Sequence, residues 1–527
     1  MTTAAQARSP SELPSEATRL AQAIDEAAHA LAQRQNTDGS WCFELEADCT
    51  IPSEYILMMH FMDEIDSDLE RHLVNYIRRR QSADGGWSLY PGGDFDMSCS
   101  VKAYFALKLA GDDIDSAHMQ RARTAILQHG GAARSNVFTR ITLAMFGQVP
   151  WRAVPVMPVE IMLLPPWFPF SLARISYWSR TVVVPLLILV ALKARAVNPR
   201  GFDVTELFTV PPEQERDWFP VRSRLGRVFV LLDRIGRPLE ILVPDSIRRR
   251  SITKAERWML ERLNGEDGLG AIFPAMVNAH EALMVLGYGA GHPLRLQAAA
   301  ALRRLIIEGD GEAYCQPCVS PVWDTGLACL SLQAVTTGRR NNPAIRRALD
   351  WLRRRQLSTE AGDWRDAHPD LAGGGWEFQY ANPYYPDLDD TAVVAWAMLQ
   401  SDEQSAEADF EEAIARAADW LRGMQSRNGG FAAFDSDNTS YYLNEIPFAD
   451  HGALLDPPTS DVTARCVALI SRLGRAADRP ALDRALKYLG SEQEKNGSWF
   501  GRWGTNYIYG TWSVLSGLEK VSEVPGS

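Results

Sequence analysis

Long apolar runs are missing from this sequence. The longest, Val182–Leu192, is 11 residues and contains Pro185, too short for a hydrocarbon core about 30 Å thick. The opening stretch Met1–Glu16 is polar and lacks the apolar segment of a secretory leader. Basic charge is also short. The 527 residues carry 54 Lys+Arg against 66 Asp+Glu, a net charge of −12, which argues against nucleic acid as the main partner. The Arg triplets at 78–80, 248–250 and 353–355 read as helix-end cations. Cysteine is scarce and odd in number, seven in all, so no secreted disulfide framework is implied. Cys315 and Cys318 form a CxxC with no second pair at zinc spacing and read as buried small residues. Strand patterns are rare. What remains is an ordinary globular mixture, 46% hydrophobic and 23% charged.

A repeat organises this mixture. Gln35-Asn-Thr-Asp-Gly39-Ser-Trp41 recurs at Gln81–Trp87, Gln425–Phe431 and Gln493–Trp499, always with six residues from Gln to the aromatic. A fifth copy, Gln356 to Trp364, is stretched to eight, and a degraded one falls near Leu263–Leu269. Before each Gln lies an Ala/Leu/Arg-rich stretch with helical periodicity, and Arg347, Arg416 and Arg484 recur at matching positions. The Asn/Asp-Gly breaks the helix. The unit is therefore helix, tight turn, aromatic, next helix. The Gln amide is suited to backbone groups left open at helix ends, and the aromatics read as scaffold. Stacked helix pairs give an open solenoid or a closed α/α barrel.

The middle, Val149–Pro220, is rich in Pro and aromatics. It leads to Arg224–Val243, apolar with Arg at its edges. That segment reads either as a patch lying on a membrane or as a buried helix.

The sharpest chemistry is Asp387-Leu388-Asp389-Asp390-Thr391-Ala392. It opens a helical pattern, where Asp is a common cap. Capping accounts for one or two of these carboxyls. Three within four residues repel unless one keeps its proton or a cation binds. A calcium loop fails for want of Gly and Glu at the required positions. A magnesium–diphosphate site lacks a partner motif. A carboxylate-pair glycosidase stays open. Phe378, Trp323, Phe434, Trp503, Tyr507 and Tyr509 stand near Gly or Pro turns and favour a hydrocarbon, because π faces stabilise a carbocation without trapping it. A protonated Asp among carboxylates is the acid such chemistry needs.

On these motifs the chain resembles the squalene–hopene cyclases, within the triterpene cyclases. The resemblance rests on the Gln…Gly-x-Trp repeats, Asp387–Ala392, Ser320-Pro-Val-Trp323-Asp-Thr325, Asp437-Asn-Thr-Ser440 and Gly501–Gly510, and covers the chain from about residue 20. It implies an all-α fold of two α/α barrels. The catalytic barrel is expected from 1–35 and 300–527, and an inserted barrel with the membrane-facing region from 36–299. Asp389 would protonate a terminal alkene of squalene or a similar polyprenyl hydrocarbon, with Asp387 and Asp390 as charge partners. Phe378, Trp178, Trp323, Phe434, Trp503 and Tyr509 would line the cavity, and Asp461 would support the acid. The product would be hopene or its alcohol. No metal and no organic cofactor is implied. The expected location is the cytoplasmic face of the cell membrane, held peripherally, with a homodimer as the further association.

Two departures stand out. Where some relatives have His in an Asp-Val-Thr-Ala-His context, this chain has Arg465. Arg cannot hand over a proton, and its expected role is to keep Asp387 or Asp390 ionised. The sequence also stops at Ser527, earlier than is usual in the family, so the catalytic barrel is expected to be incomplete at its C-terminus. The second reading is therefore a shortened, inactive relative that keeps the fold and lipid binding.

Overall fold

The computed structural model describes residues 16–219, 223–240, 242–335, 342–358, 362–404 and 410–522. The leader reading of residues 1–15 and the closing Val524–Ser527 lie outside these. Helix accounts for 59% and strand for 3%, so the fold is all-α.

After α1 (Glu16–Gln33), a first unit runs through α2 (Thr50–Met62), α3 (Ser67–Arg79), α4 (Met97–Ala110), α5 (Ala117–Gln128), α6 (Val137–Met145), α7 (Tyr177–Ala191), α8 (Arg224–Glu240), α9 (Asp245–Glu261), α10 (Phe273–Val285) and α11 (Pro293–Arg304). Two small hairpins, Leu263–Asn264 with Gly268–Leu269 and Ile306–Gly309 with Glu312–Cys315, complete it. The second unit holds α12 (Pro321–Val335), α13 (Pro343–Arg354), α14 (Leu388–Gln404), α15 (Glu411–Gly423), α16 (Ser460–Leu473), α17 (Arg479–Ser491) and α18 (Asn506–Ser522).

Each unit sets an inner row of helices inside an outer row. In the first, α2, α4, α7 and α10 are buried almost all round, and α3, α5, α9 and α11 pack outside them. The apolar run Val182–Leu192 is thus the interior of α7, not a membrane span. In the second, α12, α14, α16 and α18 form the inner row, with α1, α13, α15 and α17 outside. The outer helices bury one stripe only, as in α3, α13 and α15.

The repeat joins one outer helix to the next. Gln35 Nε2 donates to Gly39 O and Ala344 O, both at 2.8 Å. Gln81 does the same to Gly85 and His118, and Gln425 to Gly429 and Ala481. The Gln oxygen accepts from an Arg of that next helix: Arg347, Arg121 or Arg484. The indole N–H of Trp41, Trp87 and Trp499 closes the end of the preceding helix on Leu31, Ile77 and Leu489 carbonyls. One sequence assignment changes. Gln356 donates to Gly374 O and Ala413 O, and it is Trp376 that donates to Leu352 O. The fifth copy therefore ends at Trp376, with an inserted loop, and Trp364 instead packs edge-on against Trp420 at 6.1 Å.

The expected boundary at 300 falls inside α11, a continuous helix. Packing passes from the first core to the second between Cys315 and Val322, because the Ile306–Cys315 hairpin still lies on α3. At the other end Trp41 and Phe43, beyond 35, belong to the second core.

Two of the ion pairs between the units are built on the buried Arg140 and Asp363. Arg140 on α6 meets Asp450 at 3.0 Å, and Arg262 meets Asp363 at 2.5 Å. Arg224–Glu240 is not a buried helix. Leu225, Val228, Leu231, Leu232, Ile235 and Leu239 of α8 are all 42–56% exposed, while Asp233 fastens the inner side to Val156 N–H at 2.6 Å.

Candidate active site

The acid cluster begins with a cap. Asp387 precedes α14, and its Oδ1 accepts from the N–H groups of Asp389 at 2.6 Å and Asp390 at 2.9 Å. Asp387 is itself fixed by its N–H to Trp376 O at 2.7 Å, and its carbonyl accepts from the Thr391 hydroxyl at 2.6 Å. Leu388 N–H reaches Ala433 O at 2.7 Å, anchoring the cap to the Phe431–Asp435 segment. All three carboxyls are buried.

Their environments differ. Asp389 lies against Arg465, Nε to Oδ1 2.8 Å, as an ion pair without hydrogen-bond alignment. Burial raises the Asp389 carboxyl to about 6, with the Arg465 charge holding it down against further rise. Asp387 and Asp390 have no such cation in contact. Burial, and next the charge of neighbouring Asp residues, push both upward, so this pair keeps a proton at neutral pH. The direct contact of Arg465 is with Asp389 rather than with Asp387 or Asp390. Arg465 sits four residues past Asp461 on α16, on the face that looks at Asp389.

Arg465 gathers aromatics. Its guanidinium stands 4.8 Å from the Trp323 ring centre and 5.5 Å from those of Tyr509 and Trp512. Its Nη2 donates to the Tyr509 hydroxyl at 2.5 Å. Asp461 holds the neighbouring loop, Oδ2 accepting from Arg502 N–H at 2.9 Å and Trp503 N–H at 3.0 Å. Asp456 does likewise for Phe434 and Asp435, at 2.8 and 3.0 Å. The Phe434 and Trp503 rings meet edge-on at 6.4 Å. Phe378 accepts from Val322 N–H at 3.4 Å through its carbonyl, beside Trp323. Trp178 lines a cavity of about 370 Å³ formed by the first unit together with Phe448, His451, Ala453 and Leu454 of the second.

Sequence reasoning missed Trp512, Asp456 and Asp435. Trp512 carried a signal, standing three residues after Tyr509 on one helix. Asp456 and Asp435 carried none, because their partners are backbone groups far along the chain.

A buried acid with a cation at its back, facing π rings, is equipped to protonate an apolar substrate and to tolerate the cation that results. Residues 24–311 match the squalene-hopene cyclase N-terminal domain, and residues 319–526 the squalene-hopene cyclase C-terminal domain. The chain belongs to the squalene–hopene cyclase family. It is 50% identical over 517 residues to the squalene–hopene cyclase of Bradyrhizobium diazoefficiens, spanning 96% of this chain and 77% of that one. The squalene–hopene cyclase of Zymomonas mobilis is 51% identical over 94% of this chain and 76% of its own. That of Alicyclobacillus acidocaldarius is 38% identical over 96% and 79%. Membership makes this chain a class II triterpene cyclase, an isomerase-type enzyme acting on a polyprenyl hydrocarbon.

Proposed function

We propose that this chain cyclises squalene to hopene or its alcohol, and that Asp389 supplies the first proton. The observation that carries the reading is the Asp389–Arg465 pair among Trp323, Tyr509 and Trp512. A terminal alkene is a weak base and needs a strong acid in a dry site. The adjacent guanidinium favours loss of the Asp389 proton. Asp387 and Asp390 hold a further proton beside it. Phe378, Phe434, Trp503 and Tyr509 are read as walls that follow the migrating cation, and Asp461 as the brace of the Arg502–Trp503 loop. Positioning the folded polyene joins several ring closures into one event. The reading needs no cofactor.

The chemistry belongs in this reading to α1 with α12–α18, and membrane contact to the unit α2–α11 between them. Support for the first part is the packing of α1 on α12. Support for the second is the exposed apolar face of α8, above an apolar cavity of about 380 Å³ lined by Phe168, Phe170, Phe229, Leu232, Leu443 and Ile446. Among the described residues no helix is long and apolar enough to cross a membrane. Contact through one face, on the cytoplasmic side, is the arrangement proposed.

Product analysis after mixing the chain with squalene in mild detergent tests the reading. Cyclised triterpene is expected from the unsubstituted chain and none from Asp389→Asn. Cyclisation undiminished in Asp389→Asn would remove Asp389 as the acid.

A further inference from the structure

The guanidinium of Arg465 is caged by rings from two helices. Trp323 reaches it from α12 at 4.8 Å, and Tyr509 and Trp512 from α18 at 5.5 Å each. Its Nη2 donates to the Tyr509 hydroxyl. Its Nε lies 2.8 Å from Asp389 Oδ1, yet neither of these two atoms makes a hydrogen bond. A guanidinium and a carboxylate in free contact settle into aligned N–H···O bonds, which are short and strong. Here the two charges touch without doing so. Something besides their mutual attraction fixes the angle between them.

The rings are placed to do this. Helix α18 lies so close along α16 that a Cβ at Gly517 would stand 2.6 Å from the carbonyl oxygen of Ala464, the residue before Arg465. The helix that bears Trp512 is therefore seated firmly beside Arg465. Tyr509 and Trp512 are three residues apart on one face of α18, with ring centres 5.8 Å apart. Trp512 is 53% exposed, whereas the side chains of Arg465 and Asp389 are 13% and 11% exposed. The indole thus stands on the open side of the pair. A cation is attracted to a π face whichever way its N–H groups point. The titratable groups facing Asp389 are Asp387 and Asp390 at the start of its own helix, Arg465, Asp461 and Cys466 on α16, and Tyr509 on α18.

We propose that Trp512 is a positioning residue, whose ring, with those of Trp323 and Tyr509, keeps Arg465 in contact with Asp389 but out of a hydrogen bond to it. Its bearing on catalysis rests on the cyclase reading above. An aligned, charge-assisted bond favours the ionised carboxylate, and an acid that has already lost its proton cannot start the reaction. A guanidinium close by but turned aside leaves the carboxyl protonated at rest. It still favours the carboxylate that forms as the proton leaves for the alkene. Loss of the Trp512 ring frees the guanidinium to turn into that bond.

The test is the ionisation of Asp389 in the full chain, Trp512→Phe, Trp512→Leu and Trp512→Ala. It is followed in the resting protein by carboxyl carbon-13 NMR, with Asp389→Asn assigning the signal, and beside it by the pH–rate profile with squalene. Phe keeps a π face, and its midpoint is expected to stay within about 0.3 pH unit of the unsubstituted chain's. In Leu and Ala the midpoint and the falling limb are expected to move down by about one unit or more, a roughly tenfold loss of rate at neutral pH that lower pH restores. In an Arg465→Met background the same substitutions should move neither. A midpoint that stays in place in Leu and Ala overturns the proposal, and so does one that rises, or one that falls equally without Arg465. Rate lost evenly at every pH, or variants that fail to fold, would make the indole a structural filler and overturn it as well. The NMR titration needs no turnover. If the unsubstituted chain makes no cyclised product while the midpoint moves as expected, the cyclase reading falls and the placement of Arg465 by Trp512 stands.

Discussion

At Asp389 two requirements oppose each other: the carboxyl must hold a proton at rest and release it readily. Burial serves the first and Arg465 the second. Because the reactive form is protonated, raising the pH through about 6 empties it. The rate is expected to fall roughly tenfold per unit above that point. In Arg465→Met the falling limb should move to higher pH, since the lowering charge is gone, while the plateau rate drops because the proton is held harder. A pH–rate profile of both proteins checks this; a limb that stays in place would mean that Arg465 does not act on Asp389. The carboxyl cluster was legible in the sequence because three Asp in four residues is itself anomalous. The partner of Arg465 was not. Only the helical phase of α16, set by packing, turns it to Asp389 rather than to Asp387 or Asp390.

At the scale of elements, the repeat is a clasp in which Gln and Trp hold backbone carbonyls, Arg holds the Gln oxygen, and Gly lets the loop approach the next helix. Gly429 illustrates why Gly is required. Its φ is +93°, and a Cβ there would stand 2.4 Å from Arg484 O. Gly429→Ala should cost about 1–3 kcal/mol, read by denaturant unfolding beside a helix-surface Ala control. A cost no larger than the control's would mean that the loop can move off α17 freely. The clasp was readable from spacing alone in four copies. The fifth was misread at Trp364 because its loop is lengthened, and spacing carries no information once a loop length changes. Trp376 is recognised only by its indole bond to Leu352 O.

At the scale of the whole molecule, the polar contacts between the two units include the pair of Arg140 and Asp450. Arg140, 1% exposed, donates to Asp450 and to Trp218 O. Asp450→Ala leaves that charge buried without its carboxylate and should cost on the order of 3 kcal/mol. Adding Arg140→Met should recover part of this, so a double-mutant cycle gives a clear coupling. Additive losses would mean that the pair is not a joint between units. The outward face of α8 makes a separate expectation. Burying one Leu or Ile is worth roughly 1.5–3 kcal/mol, so Leu231→Glu with Ile235→Glu should weaken sedimentation with lipid vesicles more than tenfold. Unchanged sedimentation would place the membrane contact elsewhere. The all-α architecture followed from the repeat. The place where the chain passes from one core to the other did not, because the Ile306–Cys315 hairpin belongs to the first unit only by its packing on α3.

Three aspartates here share one habit: each carboxylate takes the N–H of two residues from a single short stretch. Asp387 holds 389 and 390, Asp456 holds 434 and 435, and Asp461 holds 502 and 503. Each pair of amide protons is therefore a built-in spectroscopic probe of one buried charge. At Asp387 and Asp456 their chemical shifts will move when the carboxylate they point at changes its ionisation. The titrations at Asp387 and Asp456 can thus be followed in the resting enzyme, without substrate or mutation.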